Sequence, residues 1–359
     1  MTSDARETIE RLARQRGFHA IRFAAIGPTP HYDAFQQWLL SGAHADMSWL
    51  EQSSPERADP RSRLPTARSA IALSIEHHHH RPPDPGGRTG IVARYAWGRD
   101  YHNLIGKRLK KLREDLRVIG IQSWGGVDTA PILERPWAAA AGLGFTGKNT
   151  LQIWPARTSW MFLAILFVDA PTEPDPPLKD HCGRCTRCLT GCPTQAFVGP
   201  RHLDARRCIS YWTIEARGLA PRELRSKFGR WILGCDVCQE VCPHNTTPPD
   251  PEEDDLLPRH AWLDLDEILA TADDALEQRF IGTPLRRPGA IGLKRNCLVA
   301  LGNLKDPGGE KSIETGLIHP SPVVRSAAVW AAQQIGGSIA LSGEADPSVL
   351  AELTANDCR

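Results

Sequence analysis

Seven of the ten cysteines in this chain lie in two unequal motifs between residues 182 and 242. Residues 181–197, HCGRCTRCLTGCPTQAF, have the spacing C-x2-C-x2-C-x3-C-P, and residues 234–245, GCDVCQEVCPHN, repeat only its end. This spacing is typical of two-cluster ferredoxins, in which the last cysteine of a run ligates the other cluster. Zinc is the alternative, but three cysteines at successive x2 steps crowd one tetrahedral ion and suit the separate corners of a cubane. The pattern therefore predicts iron–sulfur clusters.

The crossover rule leaves the second motif one thiolate short. The nearby candidate is Cys208, which lies between the motifs in DARRCISYWTIEARG. With it, the sequence predicts two [4Fe–4S] clusters. The first would be held by Cys182, Cys185, Cys188 and Cys242, and the second by Cys192, Cys208, Cys235 and Cys238. We expect Cys297 to be a buried core residue and Cys358 to be free near the C-terminus.

Composition narrows the class of protein. The chain has 359 residues and a net charge of +1, so nucleic-acid binding would need local basic patches rather than an overall field. The N-terminal segment MTSDARETIERLARQRGF is polar and helical in pattern, unlike a secretory signal. The longest apolar run, residues 160–170, is too short to cross a bilayer. We expect a soluble, cytoplasmic protein whose cysteines bind metal rather than form disulfides.

Strands and helices must position these cysteines. The pattern predicts strands at 19–27, 69–77 and 160–168 and helices at 5–17, 33–52 and 102–120. Four histidines, His77–His80, are predicted to lie in a solvated loop, because neighbours on an extended segment point to opposite faces. Proline-rich linkers at 170–180 and 246–255 suggest domains at 1–172, 173–250 and 251–359.

The C-terminal segment contains an internal repeat. Residues 293–307 and 323–337 align at an offset of 30, so that Arg295 matches Arg325 and Val299 matches Val329. Both are rich in Ala and Leu and end in turn residues, which predicts a pair of HEAT-type helices. Two repeats are too few to stand alone, so they should dock on the rest of the chain.

Two neighbouring clusters form an electron path, and the N-terminal residues should house its acceptor. The chain resembles the epoxyqueuosine reductase family. The resemblance rests on RYAWGRDYHNLIGKRLKKL (94–112), VDTAPILERPWAAAAGLGFTGKNTLQI (127–153), the eight cysteines and the helical tail. It implies an α/β (α+β) cobalamin-binding core of the nitroreductase and reductive-dehalogenase type. A ferredoxin-like two-cluster module and C-terminal α-helical HEAT-like repeats would follow that core.

The resemblance also implies an activity. The family reduces epoxyqueuosine to queuosine at the wobble position of tRNA, the last step of queuosine synthesis. It uses Co(I) cobalamin, bound base-off and fed with electrons by two [4Fe–4S] clusters. DYHNLIG (100–106) is one residue too long for a motif that ligates cobalt through histidine, which agrees with an unligated lower face. The implied partners are tRNA and an external low-potential electron donor; we expect no membrane and a monomer.

Site residues follow from the same resemblance. Asp128 of the VD[ST] motif is the implied proton donor, and burial should raise its pKa for that role. The implied cobalamin contacts are Arg57, Tyr95, Ala96 and Gln152, with Tyr101, His102 and Asp128 lining the same pocket. We interpret Glu134 as a structural or capping carboxylate. The glycines of GLGFTGKN (142–149) could let the backbone approach the corrin.

The predicted substrate surface is basic and aromatic. Candidate tRNA contacts are Arg286, Arg287, Lys294, Arg295, Arg217 and residues 107–113, and Trp97, Trp212 and Trp231 could stack on bases. Two other functions stay open from the sequence: a cobalamin-dependent reductive dehalogenase-like enzyme, and a ferredoxin-type electron-transfer protein. The first would need no tRNA surface, and the second would bind no cobalamin.

Overall fold

Strands and helices alternate through the N-terminal half of the chain, and helices dominate its C-terminal third. The computed structural model describes residues 2–155, 157–248, 253–337, 339 and 341–355. The strands are β1 (Ala20–Ala25), β2 (Ser69–Glu76), β3 (Thr89–Val92), β4 (Ser123–Gly126), β5 (Phe145–Thr146), β6 (Gln152–Ile153), β7 (Met161–Val168), β8 (Phe197–Gly199), β9 (His202–Leu203), β10 (Trp231–Leu233) and β11 (Trp262–Asp264).

The helices lie on both sides of these strands and form the tail. They are α1 (Thr2–Gln15), α2 (Tyr32–Leu40), α3 (Ser48–Gln52), α4 (Ser54–Arg57), α5 (Tyr101–Val118), α6 (Glu134–Ala140), α7 (Arg187–Thr190), α8 (Arg222–Arg225), α9 (Val237–Glu240), α10 (Leu265–Ala270), α11 (Asp273–Arg279), α12 (Gly289–Leu304), α13 (Glu310–Leu317), α14 (Pro322–Ile335) and α15 (Pro347–Thr354). Within the described ranges, none has the length and apolar content that crossing a bilayer requires.

The first sheet is antiparallel, with the strand order β1-β2-β7-β4. Its two central strands are buried along their whole length. Helices α1 and α5 pack on one face and α6 packs on the other. This double covering explains why β7 reads as a continuous apolar run rather than as an alternating pattern. The strands predicted at 19–27, 69–77 and 160–168 are confirmed.

The edge strand β4 carries the chain into the candidate site. A Cβ atom at Gly125 would lie 2.1 Å from the carbonyl oxygen of Ile165, so only glycine permits this approach to β7. The strand ends at Gly126, two residues before Asp128. The edge of a packed sheet therefore sets the position of Asp128.

The helix predicted at 33–52 is wrong as a single element. Helix α2 ends at Leu40, and helix α3 begins only at Ser48. Between them Gly42 and Ala45 have φ angles of 66° and 55°, in the left-handed region. A left-handed residue just past the last turn ends a helix, and glycine adopts this conformation without steric cost. The break separates α3, which carries Trp49, from α2.

The second sheet joins all three predicted segments. Its order is β10-β3-β11, with β10 parallel and β11 antiparallel to β3. One strand comes from each of the segments 1–172, 173–250 and 251–359. A single apolar core continues from this sheet into the tail helices through Val92, Ile232, Leu263 and Leu298. The domain boundaries stay a prediction, but the segments they define share a sheet and a core.

The tail helices are confirmed at the repeated segments, as α12 and α14. A Cβ atom at Gly302 of α12 would lie 2.6 Å from the Trp330 ring of α14, so the two helices pack closely. The aligned arginines have different partners: Arg295 Nη1 donates to the Ala216 carbonyl at 2.7 Å, and Arg325 pairs with Glu344 at 2.6 Å. Assignment to the HEAT class stays a prediction. Cys297 is fully buried, as expected, and Cys358 lies outside the described residues.

Asn296 connects the tail to the cysteine-containing segment. It is 5% exposed, and its amide nitrogen donates to the carbonyl oxygens of Thr213 and Ile232, both at 2.8 Å. Asn296→Ala leaves two buried carbonyls without a partner, so we expect the free energy of unfolding to fall by about 2–4 kcal/mol. Urea unfolding of the cluster-loaded protein under anaerobic conditions would measure this.

Asn303 provides the matched control for this prediction. Its amide also donates to two carbonyls, those of Arg225 and Gly229, but Asn303 is only partly buried, so water can replace it. Asn303→Ala should cost much less than Asn296→Ala. Equal losses for the two variants would contradict the assignment of Asn296 as the buried connection.

Candidate active site and cluster-binding region

Asp128 lies in a loop between β4 and α6 that is held at two points. Its backbone is in the left-handed region, with φ at 48°, a conformation that Asp adopts more readily than most residues. The Asp128 N–H donates to Glu134 Oε1 at 2.5 Å. Arg57 Nη1 donates to the carbonyl of Ile132 at 2.9 Å. The loop conformation therefore depends on Glu134, which begins α6, and on the buried Arg57.

The Asp128 carboxylate faces the first turn of α5. Its Oδ2 atom accepts a hydrogen bond from the Tyr101 hydroxyl at 2.9 Å and lies 2.8 Å from His102 Nε2. The other ring nitrogen of His102, Nδ1, lies 2.7 Å from Asp100 Oδ1. Asp100 caps α5 by accepting from the His102 N–H at 2.9 Å. The result is a continuous chain of hydrogen bonds from Asp100 through His102 to Asp128.

This chain determines where the proton resides. Burial alone would lower the pKa of His102, but its hydrogen bonds with Asp100 and Asp128 raise the pKa to about 9. Burial alone would raise the pKa of Asp128, but the hydrogen bonds from His102 and Tyr101 outweigh it and lower the pKa. The expected rise in the Asp128 pKa is therefore wrong. At neutral pH Asp128 is a carboxylate, and His102 carries the proton.

Glu134 is a second carboxyl group beside Asp128. Burial raises the pKa of Glu134 to about 8, and the negative charge of Asp128 adds to the rise. At neutral pH the Glu134 carboxyl group is therefore protonated in most copies of the protein, which avoids two adjacent negative charges. Its contact with the Asp128 N–H supports the interpretation of Glu134 as a structural residue.

A stack of rings lies below the site. Tyr101 stacks on Phe162 with ring centroids 4.2 Å apart and on His102 at 4.1 Å. On the other side of the stack, His77 lies 4.2 Å from Phe162. His77 and His78 are both buried, so the predicted solvated loop is wrong for them. Burial lowers the pKa of His77 to about 3, so the packed imidazole is neutral. The sequence signal for this burial is the apolar strand β2, which directly precedes His77.

The residues predicted to contact cobalamin divide into two sets. Tyr95, Tyr101, His102 and Asp128 are partly or largely exposed, with 56% of the Asp128 side chain accessible. Arg57 is 7% exposed, Gln152 is 3% exposed and Ala96 is fully buried.

The polar atoms of the buried set already have protein partners. The Arg57 side chain donates to Ser53 Oγ at 3.0 Å as well as to the Ile132 carbonyl, and the Gln152 amide donates to the Leu143 carbonyl at 2.7 Å. Several donors of these buried residues are therefore engaged within the protein. Of the residues predicted to contact cobalamin, those with exposed surface are Tyr95, Tyr101, His102 and Asp128.

The glycines of residues 142–149 have an explanation within the protein. A Cβ atom at Gly142 would lie 2.4 Å from the Pro176 carbonyl oxygen, and one at Gly144 would lie 2.4 Å from that of Ile153. Both residues have positive φ angles, at 71° and 81°. The chain's own close packing requires these glycines, so an approach of backbone to a corrin is not needed to explain them.

The eight cysteines between residues 182 and 242 form two groups in space. Burial is the main cause that raises the pKa of the Cys188 thiol. The charges of Cys182, Cys242 and Cys185 add to this rise. Cys238 is affected in the same way by Cys235, Cys208 and Cys192. The groups are Cys182, Cys185, Cys188 and Cys242, and Cys192, Cys208, Cys235 and Cys238. We call them thiol group one and thiol group two. Their membership supports the crossover assignment and the predicted role of Cys208.

The donor set of each group fits a cubane. Each group has four thiols, and backbone N–H groups reach the sulfurs, from Lys148 to Cys182 at 3.4 Å and from Ala196 to Cys192 at 3.3 Å. Such hydrogen bonds tune cluster potentials. In the described part of the chain, no three His, Cys, Asp or Glu side chains converge as the ligands of one ion do.

Tyr95 connects thiol group two to the Asp128 site. A Cβ atom at Gly234, next to Cys235, would lie 3.1 Å from the Tyr95 ring. The Tyr95 ring meets the Tyr101 ring edge-on, with the ring centroids 6.3 Å apart. The Tyr101 hydroxyl donates a hydrogen bond to Asp128. Thiol group two is thus separated from the Asp128 site by two aromatic residues.

Two segments of the chain match models of known protein families. A family model described as "Epoxyqueuosine reductase QueG, DUF1730" matches residues 57–129, and one described as "4Fe-4S double cluster binding domain" matches residues 181–245. The chain is 38% identical to epoxyqueuosine reductase of Pseudomonas aeruginosa over 92% of this chain and 94% of the relative. The chain belongs to the epoxyqueuosine reductase family. Its residues 181–245 form an iron–sulfur binding domain of the [4Fe–4S] type.

Solved epoxyqueuosine reductase structures share this fold. One, in complex with an epoxyqueuosine-modified tRNA stem loop, has a TM-score of 0.90 at 30% identity, with 98% of each chain covered. Another, from Bacillus subtilis, has a TM-score of 0.86 at 29% identity and covers 98% of this chain and 93% of its own. That structure has its catalytic aspartate loop swung out of the active site. The predicted fold class is confirmed at the level of this family and of its iron–sulfur domain.

Several side chains that the sequence predicted to contact tRNA are buried in the fold. Lys294 and Arg295 are 5% and 2% exposed, and Trp97 and Trp231 are 0% and 9% exposed. These residues serve the core because α12 packs against β10 and the β3 segment. Sequence reasoning placed them on the surface because a buried arginine cannot be distinguished from an exposed one by type alone.

Arg286 and Arg287 remain at the surface of the tail. Their side chains are 58% and 52% exposed. Sequence reasoning missed Asp100, although an Asp directly before a helix is a signal for a cap. It also missed Trp49, whose exposure follows only from the break after α2.

Proposed function

We propose that this chain reduces epoxyqueuosine to queuosine at the wobble position of tRNA, the last step of queuosine synthesis. Membership of the family supports this activity. The observation that carries it is the exposed Asp128 carboxylate, held 2.8 Å from His102 and separated from thiol group two by Tyr95 and Tyr101. A proton-transfer group beside an electron path is what the removal of an epoxide oxygen requires.

The proposed cofactors are two [4Fe–4S] clusters and base-off cobalamin. Thiol groups one and two would hold the clusters, and Tyr95, Tyr101, His102 and Asp128 would border the cobalamin. When bound, the clusters would supply electrons and the cobalamin would use them to open the epoxide. A large ligand could reach the Asp128 carboxylate, because 56% of its side chain is exposed.

The chain's own residues would manage the protons. Conversion of an epoxide to an alkene takes up two electrons and two protons and releases the oxygen as water. Negative charge therefore develops on that oxygen, and Asp128 is placed to deliver a proton to it. His102 would supply Asp128, since the two side chains are 2.8 Å apart, and Asp100 would stabilise the charged imidazole. Asp128 thus acts as a relay for a proton held on His102.

Electrons would enter at thiol group one. The loop around Cys182 and Cys185 is exposed at His181, Arg184 and Arg187, whereas thiol group two adjoins the Asp128 site through Tyr95. An external low-potential donor is the implied partner there. We further propose that the enzyme acts as a monomer in the cytoplasm.

A nucleoside mass measurement tests the proposed function. The anaerobically purified, cluster-loaded protein is incubated with cobalamin, a strong chemical reductant and tRNA from cells that lack this enzyme. We expect the modified nucleoside to lose the mass of one oxygen only when cobalamin is present. An unchanged nucleoside, with both cofactors demonstrably bound, would contradict the proposal and favour a dehalogenase-like activity. Failure to bind cobalamin would leave an electron-transfer protein.

The pH dependence should reveal the proton on His102. Its pKa of about 9 means that the imidazole is protonated at neutral pH and loses its proton as pH rises through about 9. Single-turnover rates with saturating tRNA should therefore fall above pH 9. The stabilisation that this ion pair gives the fold should follow the same direction, complete below about 6.5 and lost through about 9.

His102→Gln keeps a polar side chain but cannot carry the charge. We expect it to remove the decline in rate near pH 9 and to lower the rate at neutral pH. The absorption of the clusters should stay unchanged. A decline near pH 9 that persists in His102→Gln would assign the ionisation to another group and contradict the relay.

A further inference from the structure

Trp49 is an exposed tryptophan that the proposed chemistry does not use. It lies in α3 and is 40% exposed, whereas Trp97, Trp137, Trp160 and Trp330 are almost completely buried. A large aromatic side chain at the surface is costly to hydrate, and such residues often mark a binding surface. The neighbours of Trp49 therefore indicate what it could bind.

Arg287 lies over the Trp49 ring. Its guanidinium carbon is 5.5 Å from the ring centroid, within the range of a cation–π contact. Glu215 pairs with the same guanidinium at 2.8 Å and holds it in place. Trp49 comes from the N-terminal segment, Glu215 from the cysteine segment and Arg287 from the tail. Three distant parts of the chain thus build one aromatic and planar surface.

This surface lies beside the Asp128 site. The hydrogen bond with Glu215 is the main cause that raises the pKa of Arg287, and the negative charge of Asp128 adds to the rise. A second connection runs below Trp49. Ser53 Oγ donates to the Trp49 carbonyl at 2.6 Å, and Arg57 donates both to Ser53 Oγ and to the carbonyl of Ile132 in the Asp128 loop.

We propose that Trp49 and Arg287 form a stacking platform for an unpaired nucleobase of the anticodon loop, next to the nucleotide that reacts at Asp128. This inference rests on the proposed function. Single-stranded loops are bound through bases that leave their own stack and lie on aromatic or guanidinium planes. Because every base has a π face, the platform would accept different neighbours of the reacting base.

The charges favour a base over a phosphate at this place. Arg287 is already paired with Glu215, and Asp128 adds a second negative charge nearby. A phosphate would have to displace Glu215 and approach both carboxylates. A neutral base meets neither obstacle, and the exposed part of the indole gives it a surface.

Equilibrium binding of a short, unmodified anticodon stem-loop RNA to the cluster-loaded protein tests the platform without any turnover. We expect Trp49→Ala to weaken binding on the order of 10-fold, the typical effect of removing one stacked base contact. Trp49→Phe keeps a ring and should retain most of the affinity. Unchanged cluster absorption and melting temperature would show that the variants are folded.

Arg286 supplies the matched control for Arg287. Its side chain is equally exposed, and it pairs with Glu277 instead of lying on Trp49. We expect Arg287→Ala to weaken binding several-fold more than Arg286→Ala, without a larger change in salt dependence. A phosphate contact would instead reduce the slope of log affinity against log salt by about one.

The outcomes separate this inference from the proposed function. If the wild-type protein does not bind the unmodified stem loop, the platform is overturned, and the nucleoside mass measurement decides the proposed function separately. If the wild type binds and Trp49→Ala binds equally well, the platform is overturned and the proposed function stands. A loss of salt dependence confined to Arg287→Ala would also overturn it, in favour of a phosphate site.

Discussion

Replacement of Asp128 by asparagine should reduce the single-turnover rate on epoxyqueuosine-containing tRNA by about 10²- to 10⁴-fold, the usual contribution of general acid catalysis. Asparagine has nearly the same shape as aspartate and can still accept hydrogen bonds from Tyr101 and His102. It cannot pass a proton to the developing oxygen anion. Rates measured in anaerobic quenched-flow experiments, with the nucleoside quantified by mass, would give the size of the effect.

The same variant should also change His102. The pKa of His102 is raised by hydrogen bonds to Asp100 and Asp128, so loss of the Asp128 charge should lower it. The residual activity of Asp128→Asn should then decline at a lower pH than that of the wild type. This shift distinguishes an electrostatic chain from a lone acid, which would leave the pKa of His102 unaffected.

Glu134→Gln is the control for the Asp128 variant. Glu134 contacts the Asp128 backbone, and at neutral pH it is largely protonated, so the amide resembles its resting form. We expect an effect of less than 10-fold. Activity of Asp128→Asn within a few-fold of the wild type, or equal losses in the two variants, would contradict the role of Asp128 as the proton relay.

Replacement of Cys208 by serine should remove one cluster and abolish turnover. Cys208 lies outside both motifs, but it lies near Cys192, Cys235 and Cys238. Loss of one of four thiolates destabilises a cubane, so we expect the protein to contain roughly half of the wild-type iron and sulfide. Electron transfer from thiol group one to the Asp128 site would be interrupted, and turnover should fall by more than about 100-fold.

Cys297→Ala controls for the removal of a cysteine. Cys297 is fully buried in an apolar core and belongs to neither thiol group, so iron content and reduced-state electron paramagnetic resonance signals should match the wild type. Full iron content in Cys208→Ser would contradict its role as the eighth ligand. A loss of all iron in that variant would show instead that the two clusters assemble only together.

The cysteine motifs are the part of the site that the sequence predicts best. Ligand spacing is a local property, because residues two or three positions apart in a tight loop must share a neighbourhood whatever the rest of the chain does. Cys208 required a further step, since it is 27 residues from Cys235 and only the count of thiolates pointed to it. The grouping of the thiols in space supports that count.

The charges around Asp128 show where local reasoning fails. The expectation of a raised pKa considered burial alone. Tyr101 and His102 contact Asp128, and Asp100 contacts His102, because the first turn of α5 faces the end of β4. These two elements are separated in sequence by the length of α5. A pKa reflects the sum of burial and specific partners, so its direction depends on contacts that no spacing rule contains.

Burial of long polar residues is a second example. Lys294 and Arg295 look like surface residues by type, and His77 looks like part of a flexible loop. In the fold α12 packs on β10, and β2 carries His77 into the core against Phe162. The sequence shows how apolar each segment is, but only packing shows which side of a segment is covered.

From the order of its residues alone, this chain can be recognised as a cluster-binding member of a family, with an α/β core, a ligand set and a candidate acid. The ligand set follows from spacing, because the interaction involved is short in sequence, and the core and the candidate acid are implied by the family resemblance. The direction of proton flow, the path from thiol group two through Tyr95, and the surface built by Trp49 and Arg287 are different. They depend on contacts between residues far apart in the chain, which form only when packing brings separate elements together.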